Sequence, residues 1–217
     1  MSPEESDMFT VCSAFTIRPN QHTETKRPPV LMTPPYDARS VANLLLDIAQ
    51  ERFRQPAITN LALQKLLYFT HGHYLVRTGK PLVTGAFEAW TYGPVHPAIY
   101  HEFKIAGAAP ITVRAIARNV MTGALQALPT VQDDEAERQV RFVVEAYGRL
   151  SAGRLVEISH AERGPWWTTV NKAKTSVALG LRISDTVTKE CFRFQKVTVG
   201  PESRVGEPDD DKPLIRD

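Results

Sequence analysis

Hydrophobic positions are densest between Thr59 and Gly79, in TNLALQKLLYFTHGHYLVRTG. Leu63, Leu66, Leu67, Thr70 and Tyr74 follow the i, i+3, i+4 rule, and Leu61, Phe69, Leu75 and Val76 add apolar surface on other faces. A helix apolar nearly all round predicts a central, buried element. Thr59 stands where an N-cap belongs and Gly79 where a C′ glycine belongs. One narrow stripe departs from the pattern: Asn60, Gln64, Tyr68 and His71 point the same way. They form either an internal hydrogen-bond network or the floor of a binding site. The network is favoured, because buried polar groups are usually satisfied inside the fold.

The flanking pattern is also mostly helical. Asp37 caps a helix through about Arg54, with Val41, Leu44, Leu45 and Ile48 inward and Gln55-Pro56 as its stop. Phe87 to Thr91 reads as a short strand, Tyr92-Gly93-Pro94-Val95 as a turn, and Pro97 as the first residue of a helix to about Ile105. Residues 106–128 are punctuated by Gly, Ala and Pro, with an extended piece at Ile111 to Ile116. A long helix is predicted from near Thr130 to Leu150, with Ala136, Val140, Val143, Val144 and Tyr147 buried. Asp134/Arg138, Glu137/Arg141 and Glu145/Arg149 are expected as ion pairs on its outer face. Ser151, Gly164-Pro165 and Ser184 each open a shorter helix. The fold class is therefore mainly α: a compact multi-helix single domain around a buried central helix, with room for one short β-strand pair.

Composition narrows the classes. Residues 1–33 lack periodicity and read as a flexible leader, in which only Phe9 to Ile17 has enough apolar content to dock, as an added strand; Met32 is an alternative start. Residues 34–199 form the domain, and 200–217, with Asp209-Asp210-Asp211, a disordered acidic tail. A formal charge of +2 from 26 basic and 24 acidic residues gives no electrostatic footprint for nucleic acid. No signal-peptide pattern and no membrane-spanning apolar run is present. Cys12 and Cys191 form no CxxC pair, which fits a reduced, cytoplasmic protein.

Reactive constellations are scarce. His71 and His73 are two apart and face different directions, and His96, His101 and His160 lack ligand spacing, so no metal or other cofactor is expected. Neither cysteine sits in an activating motif, and GxSxG, GxGxxG and GxxxxGK[ST] are absent. No catalytic residue is assigned. Among carboxylates Glu88 alone is placed in an aromatic stretch. Trp90, Tyr92, Tyr100, Trp166 and Trp167 are either core between small helices or anchors for a protein partner.

Two motifs carry more than this. LQKLLYFTHGHYL at 63–75 and FEAWTYGPVHPAIYHEFK at 87–104, followed by YGRLSAGRL (147–155) and SHAERGPWW (159–167), resemble the Panacea domain, the SocA-like antitoxin family. The resemblance runs from about Tyr36 to Phe194. It implies a bacterial or prophage antitoxin, encoded beside a cognate toxin protein and neutralising it by direct contact. In SocA-like members it also implies a proteolytic adaptor that hands the toxin to the ClpXP protease. The family's motif maps to Gln64, Lys65, Tyr68, Phe69, Trp90, Tyr92, Gly93, Pro94, Val95 and Tyr100. Phe69, Gly93 and Pro94 are read as fold-holding, and Lys65, Tyr68 and Trp90 as surface or cleft residues. The candidate partner-binding set is Gln64, Lys65, Tyr68, His71, Trp90, Tyr92, Val95, Tyr100 and Trp166. The alternative from another class is a small hydrolase or ligand-binding enzyme with a site on the central helix, lined by Gln64, Tyr68, His71 and Glu88.

Overall fold

The computed structural model describes residues 33–54, 58–173 and 181–194. The leader with Phe9 to Ile17, Cys12 and Met32, the Gln55-Pro56 stop and the acidic tail lie outside the described residues. Two helices come first, α1 over Ala38–Phe53 and α2 over Asn60–Thr78. Every residue from Asn60 to Gly72 is buried, as expected of a sequence apolar nearly all round. The Thr59 hydroxyl accepts from the Ala62 amide at 3.3 Å, and Gly79 closes the helix at φ 75°, a conformation that suits glycine. Asp37 caps α1 by accepting from the Arg39 amide at 2.8 Å.

The next helices are α3 over Pro97–Phe103, continued by a 3-10 turn at Lys104–Ala106, and α4 over Asp134–Tyr147. The long helix is shorter than its periodicity suggests because Asp133, not Thr130, is its cap. Asp133 accepts from the Glu135 and Ala136 amides, and its other oxygen accepts from Tyr74 Oη at 2.7 Å and Tyr36 Oη at 2.9 Å. One carboxylate thus starts α4 and fixes it to α2. Burial pushes this carboxyl up, but the bonds from Tyr74, Ala136 and Tyr36 outweigh burial and hold it below the usual range. On the outer face Arg141 pairs with Glu137 as expected. Arg138 takes Glu135 instead of Asp134, and Glu145 pairs across to Arg52 of α1 at 2.6 Å instead of Arg149. Arg149 lies 4.9 Å over the Phe53 ring. Such pairs are screened by water and contribute little to stability.

Three more helices, α5 (Ala152–Ser159), α6 (Pro165–Ala173) and α7 (Asp185–Phe192), complete seven among the described residues. Ser151 and Ser184 cap α5 and α7 as predicted. The helices α1, α4, α5 and α7 all pack on α2.

Strands are more numerous than expected. β1 (Phe87–Trp90) pairs antiparallel with β2 (Gly93–Val95), Trp90 opposite Gly93 and Glu88 opposite Val95. The expected turn at Tyr92 to Val95 is corrected: residues Thr91-Tyr92 make the turn, and Gly93-Pro94-Val95 is a strand. Pro94 is accommodated because β2 is an edge strand, where a missing N–H breaks no inner ladder. The other edge of β1 takes β5 (Arg182–Ile183), which no pattern announced. A separate ribbon joins β3 (Ile116–Arg118) to β4 (Leu125–Ala127) antiparallel, so the extended piece expected at Ile111 to Ile116 begins its strand only at Ile116. The ribbon's tip is a side-chain-stabilised turn: Asn119 Oδ1 accepts from the Met121 and Thr122 amides, and Gly123 adopts φ 71°.

Candidate functional site

The sequence motifs converge where α2, the β1–β2 hairpin and the α5–α6 junction meet. Lys65 is the centre. It is 0% exposed, and its Nζ donates to the Pro94 carbonyl at 2.9 Å. Gly93 lies against it at φ 102°. A Cβ there would stand 2.5 Å from Ser159 Oγ, 3.2 Å from Lys65 Cε and 3.3 Å from His160 Nε2, so no side chain fits. Ser159 Oγ donates to the Val156 carbonyl at 2.8 Å. His160 stacks on Trp166 at 3.9 Å and 19°, and Trp166 Nε1 donates to the Trp90 carbonyl at 2.9 Å. Burial, helped by the charge of Lys65, lowers the His160 pKa to about 4, so the ring is neutral. Trp90 Nε1 donates to Glu88 at 3.0 Å, and the Trp90 and Tyr100 rings meet at 4.9 Å.

The polar stripe on α2 is an internal network. Gln64 Nε2 donates to Asn60 Oδ1 at 3.1 Å, and Asn60 Nδ2 donates to the Tyr100 carbonyl at 3.2 Å. Gln64 Oε1 accepts from the His96 amide at 2.9 Å, at the start of α3. Tyr68 Oη meets Thr188 Oγ1 at 3.3 Å, and His71 Nε2 meets Asp185 Oδ1 at 3.0 Å, both on α7. The stripe therefore docks α3 and α7 on α2.

Beside this hub, a cavity of about 290 Å³ opens between α2, the α5–α6 junction and α7. Tyr68, Phe69, Ser159, Pro165, Cys191 and Phe192 line it. Burial pushes the Cys191 thiol up, so it is not an activated nucleophile. Among the described residues no Ser, Thr or Cys side chain is hydrogen-bonded to a histidine, and no three His, Cys, Asp or Glu come together as metal ligands. No described helix is long and apolar enough to cross a membrane.

Of the nine predicted residues, Gln64, Lys65, Tyr68, His71, Trp90 and Val95 are buried, while Tyr92, Tyr100 and Trp166 are half-buried. Lys65 and Trp90, expected at a surface or cleft, are 0% and 5% exposed and serve the packing of hairpin on helix. Tyr68 does line the cavity, with its hydroxyl turned to Thr188.

The family model described as "Antitoxin SocA-like, Panacea domain" matches residues 63–167, from within α2 to within α6. Antitoxin SocA of Caulobacter vibrioides (strain NA1000 / CB15N) is 45% identical over 187 residues, covering 86% of this chain and 98% of that protein. The chain belongs to the SocA-like antitoxin family. No solved structure matches it. Membership supports an antitoxin role and a cognate toxin as partner.

In this SocA-like domain several structural partners were missed from the sequence. Ser159, His160, His96, Asp185 and Thr188 each complete a contact made by a motif residue, across separations of 32 to 120 positions for the hydrogen-bonded pairs. No periodicity reports such pairs. Ser159, His160 and His96 lie inside the quoted motifs and Asp185 follows the cap Ser184, but none of those local signals names the partner.

Proposed function

We propose that this protein is a cytoplasmic antitoxin that neutralises a cognate toxin protein by direct contact. The observation that carries the reading is the 45% identity to Antitoxin SocA over 98% of that protein's length. The fate of the polar stripe supports binding rather than catalysis. The residues of the enzyme alternative are held by structural partners: Gln64 by Asn60 and the His96 amide, Tyr68 by Thr188, His71 through Nε2 by Asp185 with Nδ1 unpaired among the described residues, and Glu88 by Trp90. Tyr92, Tyr100 and Trp166 are the aromatics of the predicted set that reach solvent, and they are the proposed contacts. The six buried candidates act by holding the hairpin and α7 in place. Delivery of the bound toxin to ClpXP is a finer version of the same reading.

The test is growth of cells expressing the product of the adjacent gene, with and without this protein, in strains with and without ClpXP. Rescue in both strains means neutralisation by binding alone. Rescue only where the protease is present means delivery. A harmless neighbour with no complex formed contradicts the antitoxin reading.

A further inference from the structure

The β3–β4 ribbon reverses the usual patterning of a small sheet. In an antiparallel pair, directly opposite residues share a face and neighbours along a strand alternate. Ile116 lies opposite Ala127 and Arg118 opposite Leu125, so these four share one face, and Ala117 and Gln126 take the other. The face with the large apolar side chains is in solvent: Ile116 is 45% and Leu125 61% exposed. At the tip, Val120 and Met121 are 96% and 93% exposed. Single exposed apolar residues are ordinary, but four on one 12-residue ribbon mark an interaction surface.

Charge and backbone specify what fits it. From Lys104 to Gln132 the chain contains no acidic residue. Arg114 is paired with Asp47, whereas the exposed Arg118 of β3 forms no ion pair with a described residue. Among the described residues the sheet has two strands, so β4 presents an edge of backbone donors and acceptors that no described strand pairs. The base is held: Asn43 of α1 brackets Ala115, donating to its carbonyl at 2.9 Å and accepting from its amide at 2.8 Å. The ribbon is thus a rigidly mounted, cationic and apolar template for strand addition.

We infer that the β3–β4 ribbon docks an extended, acidic segment of the toxin. The segment adds as a third strand along β4, sets apolar side chains on Leu125 and the Val120-Met121 tip, and places a carboxylate where Arg118 reaches across from β3. This rests on the antitoxin reading above and names a surface outside the family's sequence motifs.

The test uses the full-length chain and the purified product of the adjacent gene, with affinity measured by calorimetry. Val120→Ser/Met121→Ser and, separately, Arg118→Glu are expected to weaken binding at least about tenfold, with Arg118→Lys close to wild type. Melting temperatures should stay unchanged, because these side chains are exposed. Wild-type affinity in both variants overturns the inference and leaves the antitoxin reading intact. Absence of any complex with the wild-type chain overturns both. A wild-type dimer that the tip variant dissolves, with toxin affinity unaltered, assigns the ribbon to a second copy and overturns the inference.

Discussion

The α2 hub and the β3–β4 ribbon make opposite use of their side chains. On α2, polar groups sit inside and find partners, Lys65 the Pro94 carbonyl, Gln64 the His96 amide and His71 Asp185, while His73 Nε2 stays unpaired among the described residues. On the ribbon, apolar groups sit outside with nothing over them. A buried polar group costs about 1–3 kcal/mol when its partner is lost, which ties the hub to folding. An exposed apolar side chain contributes little to folding, so it is free to be selected for something else. Most residues that make the family recognisable are in the first class, with Tyr92 and Tyr100 at its margin, and the ribbon is in the second.

The comparison breaks first at Lys65. Lys65→Ala removes the donor to Pro94 and leaves a void beside Gly93, so unfolding free energy should fall by about 3 kcal/mol in urea titration. A change under about 0.5 kcal/mol would mean that Lys65 is not part of the framework.

An intermediate effect comes from the buried imidazoles. His73 lies edge-on to Phe142 and Phe192, with centroids 5.0 and 5.3 Å away, and burial lowers its pKa to about 4; His160 is lowered to about 4 as well. Once unfolded, each takes up a proton near its ordinary 6.5. The unfolded chain therefore holds more protons between pH 6.5 and 4, and stability must fall as pH drops through that window. The lowered carboxylates, Asp133 and Asp185, add their loss only at lower pH. Urea midpoints between pH 7 and 5 should decline for the wild type and decline less for His73→Leu. Equal slopes would contradict the assignment.

The smallest stability effect belongs to the ribbon. Val120→Ser/Met121→Ser should move the unfolding free energy by less than about 0.5 kcal/mol, in the same assay where Lys65→Ala is severe. A loss comparable to that of Lys65→Ala would place the tip in the core and erase the contrast.

Much of this was legible in the sequence because it is local. Thr59, Asp37, Ser151 and Ser184 announce their helices, and the all-round apolar character of 59–79 announces burial. The burial of Lys65 was not, since a lysine reads as surface until its distant acceptor, Pro94, is known. Gly93-Pro94 looked like a turn because those residues carry turn chemistry, and pairing with β1 and Lys65 overrode it. The second hairpin was hidden because its strands are three residues each and do not alternate toward a core.

The most direct measurement is amide hydrogen exchange on the full chain, alone and bound to the toxin. The account predicts that residues 60–75 are protected already and unchanged, and that new protection appears at 116–127, strongest along β4, and around Tyr92, Tyr100 and Trp166. No new protection anywhere, or new protection that leaves 116–127 unaltered, would contradict the ribbon's part in it.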